Sequence, residues 1–263
     1  VKVLDGNEYR TIYIAMDVKS PELKYSNIKG KNPLADVRVR EALYRAIDIE
    51  AIKKSVMRGL SLPTGTMIAP QVNGYTAELG KRVPYDVEKA KALLKEAGYD
   101  NNFEVTLDCP NNRYINDEQV LQTVAQLLTR VGIQTRVEAA PMSAFLGRVR
   151  KEEISFALLG WGSFAADLSL RSLVAAPNTE KGYGAWNWGR YANPKVESLM
   201  EQALGSVDRN KREALAREAG TLAMQDLAFI PLHHQVVSWA MRADLAYVPR
   251  TDEFTFAHHF TPR

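Results

Sequence analysis

Between Phe103 and Gly160 the hydrophobic period switches back and forth between two and 3.6 residues, and few folds accommodate that alternation. "FEVTLDC" (103–109), "IQTRVEA" (133–139) and "ISFALLG" (154–160) read as strands. "NDEQVLQTVAQLLTRV" (116–131) and "MSAFLGRVRKEE" (142–153) read as helices. Asn116 and Gln119 have the spacing of a capping box, and Gly132 is placed to stop the first helix. A β-α-β-α-β run predicts a parallel sheet with right-handed crossovers, and the unbroken apolar "FALLG" suits a strand buried on both faces.

The flanking segments extend this α/β pattern. "YRTIYIAMD" (9–17) alternates Ile12, Ile14 and Met16 against Thr11, Tyr13 and Ala15, as a strand does. Asp36 caps a helix with an apolar stripe of Val39, Leu43, Ala46 and Ile47, and Glu50–Arg58 forms a second helix that stops at Gly59. Residues 60–84 show no period and read as a long ordered loop or flap. Asp86 caps "VEKAKALLKEA", which Gly98 closes. An aromatic, polar loop spans 177–193, Pro194 opens a helix to about Gly205, and Asp208 opens another to about Asp226. "FIPLHHQVVSWAM" (229–241) returns to strand, and the tail to Arg263 reads as extended.

Composition removes several functions. The 263 residues carry 34 basic and 31 acidic side chains, a formal net charge of +3, with the basic residues set beside acids on helix faces. That balance does not predict a nucleic-acid partner. No apolar run reaches the roughly 18–20 residues of a membrane span. Cys109 is the single cysteine, so no disulfide framework or cysteine metal cluster is expected. His233-His234 and His258-His259 suggest metal ligands, but adjacent residues of a strand point to opposite faces, so one metal does not easily take both His233 and His234, and structural or surface roles are favoured for the four. "GWGSFA" lacks the third glycine of a dinucleotide loop, and no Walker loop or G-x-S-x-G is present.

In open α/β sheets, ligands bind at the carboxyl ends of adjacent strands. In a 2-1-3 order the loops "CPNNRYIN" (109–116) and "GWGSFAAD" (160–167) leave neighbouring strands at the same end. Asn112, Arg113 and Tyr114 from one loop, and Trp161, Ser163 and Asp167 from the other, supply stacking surface, donors and acceptors for a small polar ligand. Trp188, in the aromatic 177–193 loop, joins them. Each has a structural reading beside it: salt bridge for Arg113, helix-entry packing for Tyr114, packing anchor for Trp161, and a cap on "LSLRSLVAA" for Asp167. Gly160 and Gly162 are expected to let the backbone turn and free Trp161 for a ligand.

"NPLADVRVREALYRAID" resembles the D-x-R-V-R-x-A-L-x-x-A-I-D motif of the extracellular solute-binding proteins of the dipeptide/oligopeptide class, the receptors of ABC importers. "VPYDVEKAKALLKEAGY", "CPNNRYINDEQ", "LLGWGSFAADLS", "RYANPKVESLMEQAL" and "FIPLHHQVVSWAMRADLAYVPRTDEFT" are similar to further segments of that family in the same order.

The resemblance implies a type II periplasmic-binding-protein fold, represented here by a second lobe with a three-layer αβα sheet and by strands returning to an incomplete first lobe. Residues 1–18 and 228–263 would serve lobe one and the hinge, and 19–227 would be lobe two. It further implies a clamp that closes on a peptide or similar solute and delivers it to membrane permease subunits, in the periplasm or lipid-anchored outside a bacterial cell. No cofactor and no catalysis are implied. Asp167 would hold a ligand ammonium, Arg113 a ligand carboxylate, and Trp161 would flank the ligand. Non-peptide ligands (glutathione-like, sugar, opine or metal chelate) and an enzyme using Cys109 are the alternatives. Without its partner lobe the segment is expected to expose apolar surface and to bind ligand weakly.

Overall fold

The computed structural model describes residues 1–100 and 103–262; Arg263, the last residue of the expected extended tail, lies outside them. Its elements follow the hydrophobic periods closely. Strand β1 covers Lys2–Met16, helices α1 and α2 cover Val37–Ala46 and Ile49–Ser55, β2 covers Ser61–Pro63 and α3 covers Val87–Glu96. The alternating core is β3 (Phe103–Pro110), α4 (Asp117–Thr129), β4 (Ile133–Ala140), α5 (Met142–Arg150) and β5 (Phe156–Gly162). Helices α6 (Ala166–Leu173), α7 (Pro194–Gly205) and α8 (Arg209–Gln225) follow, then β6 (Phe229–Met241) and a short pair, β7 (Leu245–Ala246) with β8 (Thr261–Pro262).

Helix starts are set by side-chain caps. Asp36, Asp48, Asp86, Asn193 and Asp208 each accept a hydrogen bond from a backbone N–H in the first turn of α1, α2, α3, α7 and α8. The capping box expected at Asn116 does not form. Asn116 lies in the left-handed region and its side-chain amide donates to the Val56 carbonyl at 3.0 Å. Asp117 instead ties down the preceding loop: one carboxylate oxygen accepts from the Arg113 and Tyr114 amides, both at 3.0 Å. An acid one residue inside the helix can fold back on the preceding loop, an option the capping-box pattern does not encode.

The six-stranded sheet has the order β2-β6-β1-β5-β3-β4. Strands β4, β3 and β5 are parallel in the anticipated 2-1-3 arrangement, but β1 runs antiparallel to β5, and β6 antiparallel to both β1 and β2. The sheet is therefore mixed. The expected loop at 60–84 also contributes β2, which covers the edge of β6.

Alternate residues of the central strands feed two cores. Ile12, Ile14, Met16, Phe156 and Leu158 pack with Val39, Leu43, Ile52, Leu94, Leu121 and Val124 from α1–α4. Tyr13, Ala15, Ala157 and Leu159 pack on the other face with Phe145, Leu170, Met200 and Ala219 from α5–α8. These are the three αβα layers. Arg40 bridges distant parts: its guanidinium donates to the carbonyls of Leu34, Ala35, Asp226 and Leu227 at 2.7–3.1 Å. A buried cation that serves four carbonyls satisfies groups which would otherwise be orphaned at the ends of two elements.

Beyond this body, Lys2–Asn7 pairs with β6 alone, from Val236 to Met241, as a two-stranded ribbon, and the register shifts between Asn7 and Thr11. Val3, on one face of the ribbon, is 60% exposed, while on the other face Pro249 abuts Gly6 and Tyr247 packs on Trp239.

His233 and His234 sit where β6 is flanked by both β1 and β2, and each is 1% exposed. His234 Nδ1 lies 2.9 Å from Thr11 Oγ1, whereas neither ring nitrogen of His233 has a hydrogen-bond partner among the described residues. Burial pushes their pKa values down to about 3 and about 4, with His234 and Arg82 lowering His233 further. The unfolded chain therefore binds more protons than the fold below the ordinary histidine pKa of about 6.5. Their contribution is complete above about pH 6.5 and is lost as pH falls toward 4 and 3. Urea midpoints measured from pH 7 to pH 4 should fall, and His233→Leu should remove about one proton of that slope, roughly 1.4 kcal/mol per pH unit, while leaving stability at pH 7 intact.

Candidate functional site

The loops after β3 and β5 leave from the same end of adjacent strands, and β1 reaches that end at Arg10, opposite Gly162. Asn112 secures the first loop by accepting from the Met142 amide at 2.9 Å, at the start of α5. Arg113 is partly exposed, with its guanidinium 5.4 Å from the centre of the Tyr114 ring. Tyr114 is 8% exposed, and its hydroxyl donates to the Gly160 carbonyl at 3.2 Å. Burial raises the phenol pKa, so it remains a donor.

The glycines around Trp161 have a different purpose from the one expected. Both lie within β5 and neither has a positive φ. A Cβ on Gly160 would come within 2.7 Å of the Tyr114 ring and 2.9 Å of Ile12, and one on Gly162 would press on the Arg10 backbone at 3.2 Å. They admit close neighbours and do not turn the chain.

Trp161 is half-buried and packs 5.2 Å from Trp186, which meets Trp188 edge-on at 5.8 Å. Trp188 lines a cavity of about 480 Å³ with Ala15, Phe156, Leu159 and Tyr183, toward the opposite end of β5 from Gly162. Ser163 closes a local turn: its Oγ accepts from the Ala165 amide and donates to the Ala165 carbonyl. Asp167 is 7% exposed and does not cap α6; Ala165 holds the cap position, and Asp167 lies in the first turn. Its carboxylate pairs with Arg212 of α8, with Nε at 3.1 Å, beside a smaller recess of about 230 Å³ lined by Asn73, Phe164 and Arg209.

The seven candidates thus fall into three places: Asn112, Arg113 and Tyr114 at the strand ends, the tryptophan row, and Asp167 with Ser163 near the start of α6. The structure adds an unforeseen group to the first. Arg10 is 4% exposed; its Nε donates to Glu253 Oε1 at 2.8 Å, and its second nitrogen pairs with Glu253 Oε2. Glu8 lies 4.0 Å from Arg10 and accepts from Gln235 Nε2 at 2.7 Å. Burial raises the Glu8 pKa, against the lowering effect of Gln235. Strand alternation gives no sign that charged residues at 8 and 10 are buried, and Glu253 is 243 residues away from Arg10 in the chain.

Cys109 is fully buried in β3, and burial pushes its thiol up to about 12, away from the thiolate a nucleophile needs. Among the described residues no group of three or more His, Cys, Asp or Glu side chains is placed to hold a metal.

The mixed αβα sheet, with the two-stranded ribbon leading away from it, has the type II periplasmic-binding-protein fold of its structural neighbours. The sequence model described as "Bacterial extracellular solute-binding proteins, family 5 Middle" matches residues 1–175, and the chain belongs to that family. It is 30% identical over 210 residues to the probable deoxycholate-binding periplasmic protein YgiS of Escherichia coli K12, covering 78% of this chain and 38% of that one. It is 33% identical over 209 residues to the glutathione-binding protein GsiB of Escherichia coli K12, covering 77% and 40%. HbpA2 from Haemophilus parasuis superposes with a TM-score of 0.82 at 22% identity, over 100% of this chain and 50% of that one. The chain spans about two fifths of the length of these curated relatives.

Two substitutions test this local architecture. Gly160→Ala should cost about 1–3 kcal/mol through the clash with Tyr114 and Ile12, read from denaturant unfolding. A double-mutant cycle of Asp167→Asn with Arg212→Ala should give a coupling of about 0.5–1 kcal/mol, small because the Arg212 side chain is 44% exposed.

Proposed function

We propose that this chain forms the second-lobe part of the solute-binding subunit of an ABC importer, which closes on a peptide or similar small solute and presents it to permease subunits in the membrane. The observation that carries this reading is the convergence of the 111–116 and 163–165 loops with Arg10 at one end of the sheet, next to the ribbon of β1 and β6. The ribbon suits a hinge. Segments 1–18 and 228–263 supply its two strands and the tail, leading to lobe one, while 19–227 make lobe two. Its register shift near Asn7 gives closure a place to bend.

In this arrangement Arg113 meets a ligand carboxylate, Asp167 a ligand ammonium with Ser163 beside it, and Asn112 and Tyr114 fix the loop. Trp161, backed by Trp186, forms the aromatic wall, while Trp188 lines the separate cavity toward the other end of β5. The ligand ammonium would have to compete with Arg212 for Asp167, which fits an anchor that is neutralised until the solute arrives. The relatives support a periplasmic location: YgiS is named periplasmic, and no helix among the described residues is long and apolar enough to cross a membrane. A second reading keeps the receptor and changes the solute. Relatives named for deoxycholate and for glutathione favour it, and both of those solutes carry carboxylates.

Mass spectrometry of solute carried through native purification of the complete protein, followed by calorimetric titration with that solute, decides between them. A short peptide is the expected passenger. A non-peptide passenger with no heat from any di- or tripeptide would overturn the peptide assignment, and Arg113→Ala should weaken binding of a carboxylate-ended solute by about 2 kcal/mol, roughly thirtyfold.

A further inference from the structure

The C-terminal tail brings a carboxylate of this chain to the place where the loops converge. Glu253 Oε2 pairs with Arg10 and lies 4.0 Å from a guanidinium nitrogen of Arg113. Both guanidinium groups lie over the ring of Tyr114, at 5.3 and 5.4 Å from its centre, so the phenol acts as a floor that holds the two cations close together. Glu253 Oε2 faces both cations and offsets the repulsion between them.

We propose that Arg10 and Arg113 form a carboxylate subsite which Glu253 fills as a resident stand-in, and which a carboxylate-bearing solute takes over by displacing Glu253. The charges balance in this way. Glu8 is already committed to Gln235 and lies 4.0 Å from Arg10, so it compensates one arginine. Glu253 compensates the other. Withdrawing Glu253 leaves one uncompensated positive charge and room for one carboxylate.

Glu253 is built to leave. Its side chain is 34% exposed against 5% for Arg10, and its backbone is held at φ +69°, in the left-handed region that non-glycine residues avoid. The tail is pinned on either side of it, by the Thr251 carbonyl accepting from the Tyr9 amide at 3.0 Å and by Trp239 Nε1 donating to Thr255 Oγ1 at 2.9 Å. The segment can therefore swing its carboxylate out and relieve the strained φ without detaching. Arg10, fixed in register opposite Gly162, stays in place. Solute binding would then be linked to the position of the tail that leads from the hinge. The receptor reading identifies the visiting solute; the two-arginine subsite itself rests on the geometry alone.

Acetate is the probe, titrated into the 263-residue chain at constant ionic strength, with acetamide as the uncharged control. The readout is the Nε–H resonances of Arg10 and Arg113. If Glu253 occupies the subsite in about nine molecules of ten, Glu253→Gln should strengthen acetate binding about tenfold. Both arginine resonances should move together, acetamide should move neither, and Arg10→Met combined with Glu253→Gln should abolish the effect. Equal acetate affinity with and without Glu253, or shifts confined to Arg113, would overturn the proposal. If Glu253→Gln loses its native amide spectrum, Glu253→Asp keeps the charge, draws it back by one methylene, and should give an intermediate affinity. A complete receptor that carries no solute would sink the transport reading and leave this subsite standing, whereas indifference to acetate would do the reverse.

Discussion

The antiparallel seam between β1 and β5, from Arg10 opposite Gly162 to Met16 opposite Phe156, is the contact on which the rest of the molecule depends. On one side of it lies the parallel β5-β3-β4 unit, whose strands are joined by helices within a single stretch of chain. On the other lies β6, which returns from the far end of the chain. Because side chains alternate with a period of two, a one-residue slip along this seam would exchange Ile12, Ile14 and Met16 with Tyr13 and Ala15, and so swap both cores at once. The same register places Arg10 beside the loop that carries Arg113. Fold and candidate site are thus fixed by one set of strand pairings.

Much of this was legible because local rules governed it. The β-α-β-α-β unit, its 2-1-3 order and the capping aspartates at 36, 86 and 208 follow from hydrophobic period and side chain-to-backbone bonding within a few residues. The misreadings share a different cause. Gly160 and Gly162 looked like turn residues because nothing local shows the Tyr114 ring or the β1 backbone pressing on them. The cap weighed for Asp167 beside its ligand role does not form, and its partner, Arg212, is 45 residues further on. Arg10 and Glu253 could not be paired from sequence at all, since their contact depends on β6 and the tail returning to β1.

Buried charge in this chain divides by what accepts it. Arg40 is satisfied by four backbone carbonyls, groups that cannot leave without unfolding the elements they belong to. Arg40 thereby binds secondary structure together. Around Arg10 the partners are other side chains, one of them on the tail. Side-chain partners can be exchanged at the cost of a rotamer or a loop movement, whereas backbone partners cannot.

That distinction bears on how the proposed two-lobed receptor would bind tightly and still release. A cleft lined by unpaired cations would be costly to keep dry when closed and empty, and a cleft lined by permanently paired ones would offer a solute nothing. A pair with one rigid and one displaceable member avoids both. Arg10 is held by the sheet, while Glu253 sits on a strained, half-exposed loop. Arg113 remains partly open to solvent, so an arriving carboxylate can meet it before Glu253 has left. The Asp167–Arg212 pair has the same asymmetry with the signs reversed: the acid is buried in α6 and the base is exposed on α8. The two ends of a zwitterionic solute would then each replace a counter-ion already present, so the net change in buried charge on binding stays near zero.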